Sequence, residues 1–211
     1  MAAISRSQPT MQGRYAKLLP AMLAASLMLA ALAGGAVAGP LQDAAAAEKK
    51  GDYATALRLV RPLAEQGNAA AQSALGFMYE YAQGVPQDLA AAARWHRRAA
   101  EQGNALSQTR LGFLYVIGVG MRRDYAEAAK WLRLAAQQGR VAAQTELGSL
   151  YASGTGVAQD YVAAYMWLSL AAAQGDRDGA ETRERIGKFM TPAQIAQAQK
   201  MAQDWKPTPQ R

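Results

Sequence analysis

Residues 156 to 175 read "GVAQDYVAAYMWLSLAAAQG": an Asp ahead of an apolar run, a Trp seven positions later and a Gly at the end. Nearly the same order ends at Gly103 and again at Gly139, so Gly67, Gly103, Gly139 and Gly175 stand 36 residues apart. Leu75-Gly76, Leu111-Gly112 and Leu147-Gly148 keep that interval. So do Gln72, Gln108 and Gln144; Tyr79, Tyr115 and Tyr151; Asp88, Asp124 and Asp160; and Trp95, Trp131 and Trp167. Positions held in step in this way mark a duplicated unit, and each copy should be one supersecondary element.

Within a unit, "NAAAQSALGFMYEYAQG" (68–84) places Gln72, Leu75, Gly76 and Tyr79 at i, i+3, i+4 and i+7, one face of a helix. A glycine-bearing turn follows: "AQGVPQ", "GVGMRR" and "GTGVAQ" in the three copies. Asp88, Asp124 and Asp160 then stand where an N-cap belongs, able to accept the unpaired amide hydrogens of a second helix. That helix puts Ala92, Trp95 and Ala99 on one face and stops at Gly103, a residue suited to the left-handed turn at a helix end. Each unit is therefore expected to be a helix-turn-helix hairpin. Two helices of about fifteen residues cannot bury their apolar faces alone, so the units should stack into an all-α solenoid.

The expected boundaries follow from the same pattern. A half repeat, 51–66, holds an isolated second helix whose Asp52 lies one period before Asp88; full repeats span 67–102, 103–138 and 139–174. Residues 176–205 form a helical cap, in which Thr191, Pro192 and Gln194 supply an N-cap, a first-turn proline and a capping box. Residues 39–50 read as a linker and 206–211 as a frayed tail.

The pattern AxxLGxxY, GxGVxxD and AxxWxxxAAxQG at this period resembles the Sel1-like repeat, a relative of the tetratricopeptide repeat, from about Gly51 to Gly175. The ending "MTPAQIAQAQKMAQDW" is similar to the terminal helix of exported bacterial members. Ala82 departs from the pattern where the other copies have Gly118 and Gly154, and Met121-Arg122 stand in place of Val157-Ala158. The resemblance implies an α-solenoid scaffold that binds proteins or peptides in envelope complexes or signalling. Some relatives take penicillin-like or peptidoglycan-like ligands, but those are rich in Cys, and this chain has none.

The first 38 residues carry Arg6, Arg14 and Lys17 with no acid, then a long uncharged run, then Ala36-Val37-Ala38. That order is a secretory signal peptide with cleavage after Ala38; an uncleaved anchor over 18–38 is the alternative. A periplasmic or secreted protein is expected. Without Cys it has no disulfides and no thiol chemistry. Removing the three leader cations from the 23 basic residues leaves 20 against 16 acids, an excess too mild to argue for nucleic acid.

Reaction chemistry is not legible. His96 is the single His, placed at the margin of a buried face with no Cys and no HExxH partner, so it reads as structural. The recurring GVG and GTG are turn glycines, not phosphate loops, because neither follows a strand or carries the Lys-Ser/Thr. The three periodic Trp read as core.

Residues that vary between copies carry the functional expectation. On the first helices, positions opposite the core stripe include Phe77, Tyr81, Leu106, Arg110, Phe113 and Ile117. In solenoids of this kind first helices line the concave surface, so these residues form either an apolar groove or a packing face against the next first helix. On the second helices, Arg94, Arg97, Arg98, Lys130 and Arg133 fall away from the Ala/Trp face and form a basic convex stripe, for solvation or for an anionic surface. The expectation is a monomeric, non-catalytic scaffold with a protein or peptide partner in the envelope, no nucleic acid, no metal and no cofactor. The alternative is a peptidoglycan- or β-lactam-directed binding protein or enzyme.

Overall fold

The computed structural model describes residues 38–208. Among them are ten helices and no strand: α1 (Ala38–Lys49), α2 (Tyr53–Glu65), α3 (Ala69–Glu80), α4 (Leu89–Glu101), α5 (Ala105–Ile117), α6 (Tyr125–Gln137), α7 (Val141–Ser153), α8 (Tyr161–Ala173), α9 (Arg177–Gly187) and α10 (Pro192–Asp204). None of the helices among the described residues is long and apolar enough to cross a membrane. The proposed leader falls outside the described residues except for Ala38. The chain divides into two compact units, one ending at Ala92 and one beginning at Ala93, inside α4.

In the first unit α1 packs on α2, and α2 on α3. The stretch expected to be a linker is therefore helical. Leu41, Ala44 and Ala47 are buried, one turn apart, and they complete a hairpin with Ala56, Val60 and Ala64 of α2. The expected half repeat is thus preceded by a helix, α1, that packs on it. Asp52 caps α2 by accepting from the Thr55 amide at 3.0 Å.

In the second unit α5 pairs with α6 and α7 with α8, while α6 also packs on α7 and α8 on α9. The first helices lie side by side, α5 against α7 and α7 against α9, and α10 returns onto α8. Asp124 accepts from the Ala126 and Glu127 amides, and Asp160 from those of Val162 and Ala163, all at 2.9–3.0 Å. The expected capping box of α10 is present, with Pro192 in its first turn.

The repeated Gln has a physical purpose that spacing alone does not show. Gln108 Nε2 donates to the Ala100 carbonyl at 3.1 Å and Gln144 Nε2 to that of Ala136 at 3.3 Å, tying each first helix to the last turn of the helix before it, where the same carbonyls also accept from the Gly103 and Gly139 amides at 3.0 Å. Their Oε1 atoms accept from Gln138 Nε2 at 2.8 Å and Gln174 Nε2 at 2.9 Å, 30 residues further on. A ladder of side-chain amides, buried at Gln108 and Gln144 and more open at Gln138 and Gln174, thus runs through this unit.

Three expectations need correction. Trp95 and Trp131 are only half-buried and sit on the flank of the hairpin core, whose centre is Leu132 on α6 and Leu168 on α8. His96 occupies the equivalent position and is fully buried, not marginal. The tail is held at its start: the Thr208 amide donates to the Gln137 carbonyl at 2.8 Å.

Candidate functional site

The residues expected to line a concave groove are mostly inside the protein. Phe77 and Phe113 are each 2 % exposed and Arg110 is 7 % exposed; Tyr81, Leu106 and Ile117 are half-buried. An open apolar strip along the first helices is therefore not what these side chains make. In the second unit the reason is geometric: a first helix meets its own hairpin partner on one side and another first helix on the other, so both faces are buried. The small and hydroxylic residues of these helices carry the signal. Ser107, Thr109 and Thr145 are buried, and the Thr109 hydroxyl returns to the Ala105 carbonyl at 2.8 Å. Burial pulls the Arg110 guanidinium down to about 10. Tyr81 stacks on Phe77 with ring centres 6.1 Å apart, and burial pushes its phenol up to about 12.

His96 offers no proton chemistry at working pH. Its Nδ1 lies 3.3 Å from the Ser107 hydroxyl, and burial pushes the imidazole down to about 3, so the ring is neutral. No group of three His, Asp or Glu side chains among the described residues converges as metal ligands would.

The basic stripe is exposed, but part of it is seated on aromatic rings. Arg94, Arg97, Arg98 and Lys130 are exposed, and Arg133 is half-buried. Arg133 donates to the Tyr151 hydroxyl at 2.8 Å with its guanidinium 5.8 Å from the ring centre. One period earlier Arg97 donates to Tyr115, 5.7 Å from that ring. Arg98 stacks over Trp95 at 4.6 Å, and Lys130 pairs with Glu127. The sequence held the signal for this pairing: Arg97 and Arg133 keep the repeat interval, and each stands 18 residues before a periodic Tyr.

Arg133 and Tyr151 line an open cleft of about 630 Å³. The third turn, from Val157 to Asp160, the start of α8 at Tyr161 and Val162, and Gln194 of α10 also line it. Among the described residues no carboxylate pairs with the Arg133 guanidinium. Asp160 faces the same cleft, but its Oδ1 is occupied by the two α8 amides it caps. Phe189, 62 % exposed, stacks on Tyr161 with ring centres 6.2 Å apart and extends the aromatic surface outward. A fixed cation, aromatic faces and amide side chains suit binding of a polar, partly anionic chain; no nucleophile with a base beside it lines the cleft.

Comparison with known proteins bears on this geometry. The Sel1 repeat family model matches residues 69–104, 105–139 and 141–176. The chain is similar to the crystal structure of a Sel1 repeat protein from Oxalobacter formigenes, with 32 % identity and a TM-score of 0.66 over 73 % of this chain and 62 % of that one. It is also similar to a protective antigen present in uropathogenic Escherichia coli strains that displays an SLR fold, with 31 % identity and a TM-score of 0.54 over 72 % of this chain and 40 % of that one. The chain thus spans less than two thirds of either structure. No individually curated protein matches it. The likeness makes the all-helical repeat fold one of solenoid type.

Proposed function

This chain belongs to the Sel1 repeat family, and from that premise we propose that it is a non-catalytic scaffold binding a protein or peptide partner in the bacterial cell envelope. The observation that carries the reading is how the second unit divides its surfaces. Its first helices spend both faces on packing and on the Gln ladder, which leaves the second helices and the turns as a preformed outer surface. A surface that needs no ordering on binding lowers the entropic cost of capturing a partner. Such a scaffold acts as an adaptor in an envelope complex or as a regulator of a sensor.

The envelope address is supported by Arg6, Arg14, Lys17, the uncharged run after them and the Ala36-Val37-Ala38 triplet. Cleavage after Ala38 leaves Leu41, Ala44 and Ala47 in the mature chain, so α1 keeps its buried face. Cell fractionation with mass determination of the mature N-terminus tests this; a chain retaining Met1 in the membrane fraction would overturn cleavage.

Photocrosslinking in cells from Arg94, Leu134 and Phe189, each exposed, tests the scaffold reading. The expected result is one recurrent envelope protein. No crosslink from any of the three positions would overturn it.

A further inference from the structure

The cleft beside the third turn does not stand alone. A β-carbon built on Gly156 would lie 2.4 Å from the Tyr125 carbonyl carbon, so the third turn rests on the first residue of α6. Just ahead of that residue stand Arg122 and Arg123, both exposed, and Arg123 lies over the Tyr125 ring at 5.5 Å. The second and third turns therefore form one continuous edge, with Arg122 and Arg123 at one end and Arg133 in the cleft at the other. Among the described residues none of the three has a carboxylate partner.

We propose that this edge is the docking site for an extended acidic peptide segment of a protein partner, with one carboxylate of that segment seated on Arg133. This deepens the scaffold reading and rests on it. A guanidinium has five N–H donors in a fixed fork, and Tyr151 takes one of them, which orients Arg133 and leaves the others for a carboxylate. Val157, Val162 and the ring of Tyr161 receive alternate apolar side chains, while Gln159 Oε1 and Gln194 Nε2, whose partner atoms Nε2 and Oε1 are held at 2.8 Å by Ala152 and Thr191, suit a peptide backbone. A phosphate-rich surface fits less well. Asp124 and Asp160 lie on the same edge and repel dense negative charge, and Arg133 is recessed in the cleft rather than projecting.

The test is fluorescence anisotropy of the purified full chain with a labelled, amidated short peptide of alternating Glu and Val. Controls are the same peptide with Gln for Glu and vesicles of phosphatidylglycerol. The Glu peptide should bind and the Gln peptide should not. Arg133→Gln should weaken binding about tenfold, Arg122→Gln with Arg123→Gln about threefold with a shallower salt dependence, and Lys200→Gln not at all. Because Arg133→Gln also removes the Tyr151 bond, Tyr151→Phe is the second variant: it keeps the charge and should weaken binding only about threefold. Equal binding of both peptides, no binding of the Glu peptide at millimolar concentration, or unchanged affinity in a folded Arg133→Gln protein would each overturn the proposal. So would vesicle binding that the same substitutions abolish while the peptide is ignored. A crosslinked partner without Glu-peptide binding would leave the scaffold reading standing and remove only this site.

Discussion

Leu132 rests directly on Gly112: a β-carbon built on the glycine would stand 2.6 Å from the leucine Cγ and 2.8 Å from its Cδ2. One period on, Leu168 lies on Gly148 in the same way, at 2.7 Å. In these two copies the two helices of the hairpin thus approach closely at the glycine, and the missing side chain makes room for the leucine.

Gly112→Ala should destabilise the protein by about 1–2 kcal/mol, overpacking at the contact outweighing the better helix propensity of Ala. Urea denaturation measures it. A stabilised variant would mean that Leu132 moves aside freely.

Ala82 holds φ at +57°, in the left-handed region where Gly118 and Gly154 stand in the next two copies. Ala82→Gly should therefore raise stability by about 0.5–1 kcal/mol, the relief of strain exceeding the added chain entropy. The midpoint of urea unfolding reads the gain.

His96 ties stability to acid. Its imidazole titrates near 6.5 when unfolded and is pushed down to about 3 when folded, so below pH 6.5 the unfolded chain binds the extra proton. Stability that is full above that pH drains away as the pH falls toward 3, amounting to about 2 kcal/mol by roughly pH 5. His96→Leu, the residue found at 132 and 168, should flatten this dependence in a comparison of unfolding free energies at about pH 5 and pH 7.5. Parallel pH curves for the two proteins would refute it.

Gln108 is 3 % exposed and holds both the Ala100 carbonyl and the Gln138 amide. Gln108→Leu should cost about 1–2 kcal/mol, because the Ala100 carbonyl and the Gln138 amide each lose one bond while keeping another to Gly103. A cycle with Gln138→Leu should show coupling between the two sites, whereas additive losses would mean that the ladder does not act as a unit.

Trp205 meets Trp167 edge to face, with ring centres 6.3 Å apart, and Ala198 is the single buried residue of α10. Trp205→Ala should free α10 without unfolding the array. Hydrogen exchange in 192–204 should speed up while α7 and α8 keep their protection.

The sequence alone determined the period, the hairpins and nearly every helix end, because these depend on interactions within a few residues: Asp124 caps α6, Thr191 caps α10, and Gly103, Gly139 and Gly175 take left-handed conformations at helix ends. It also marked the Arg and Tyr that pair 18 residues apart, though their meeting shows only in three dimensions. Tertiary structure alone decided which faces remain open. Phe113 and Arg110 lie opposite the hairpin core and look exposed within one repeat, yet a first helix in this unit has a second neighbour beyond its own hairpin, and that lateral packing leaves them buried. Only packing, too, revealed α1, whose Leu41, Ala44 and Ala47 carry no repeat motif, and the cleft at Arg133, to which α10, folded back onto α8, contributes Gln194. Local hydrogen bonding writes itself into spacing; burial is a sum over neighbours that the chain reaches only after it has stacked.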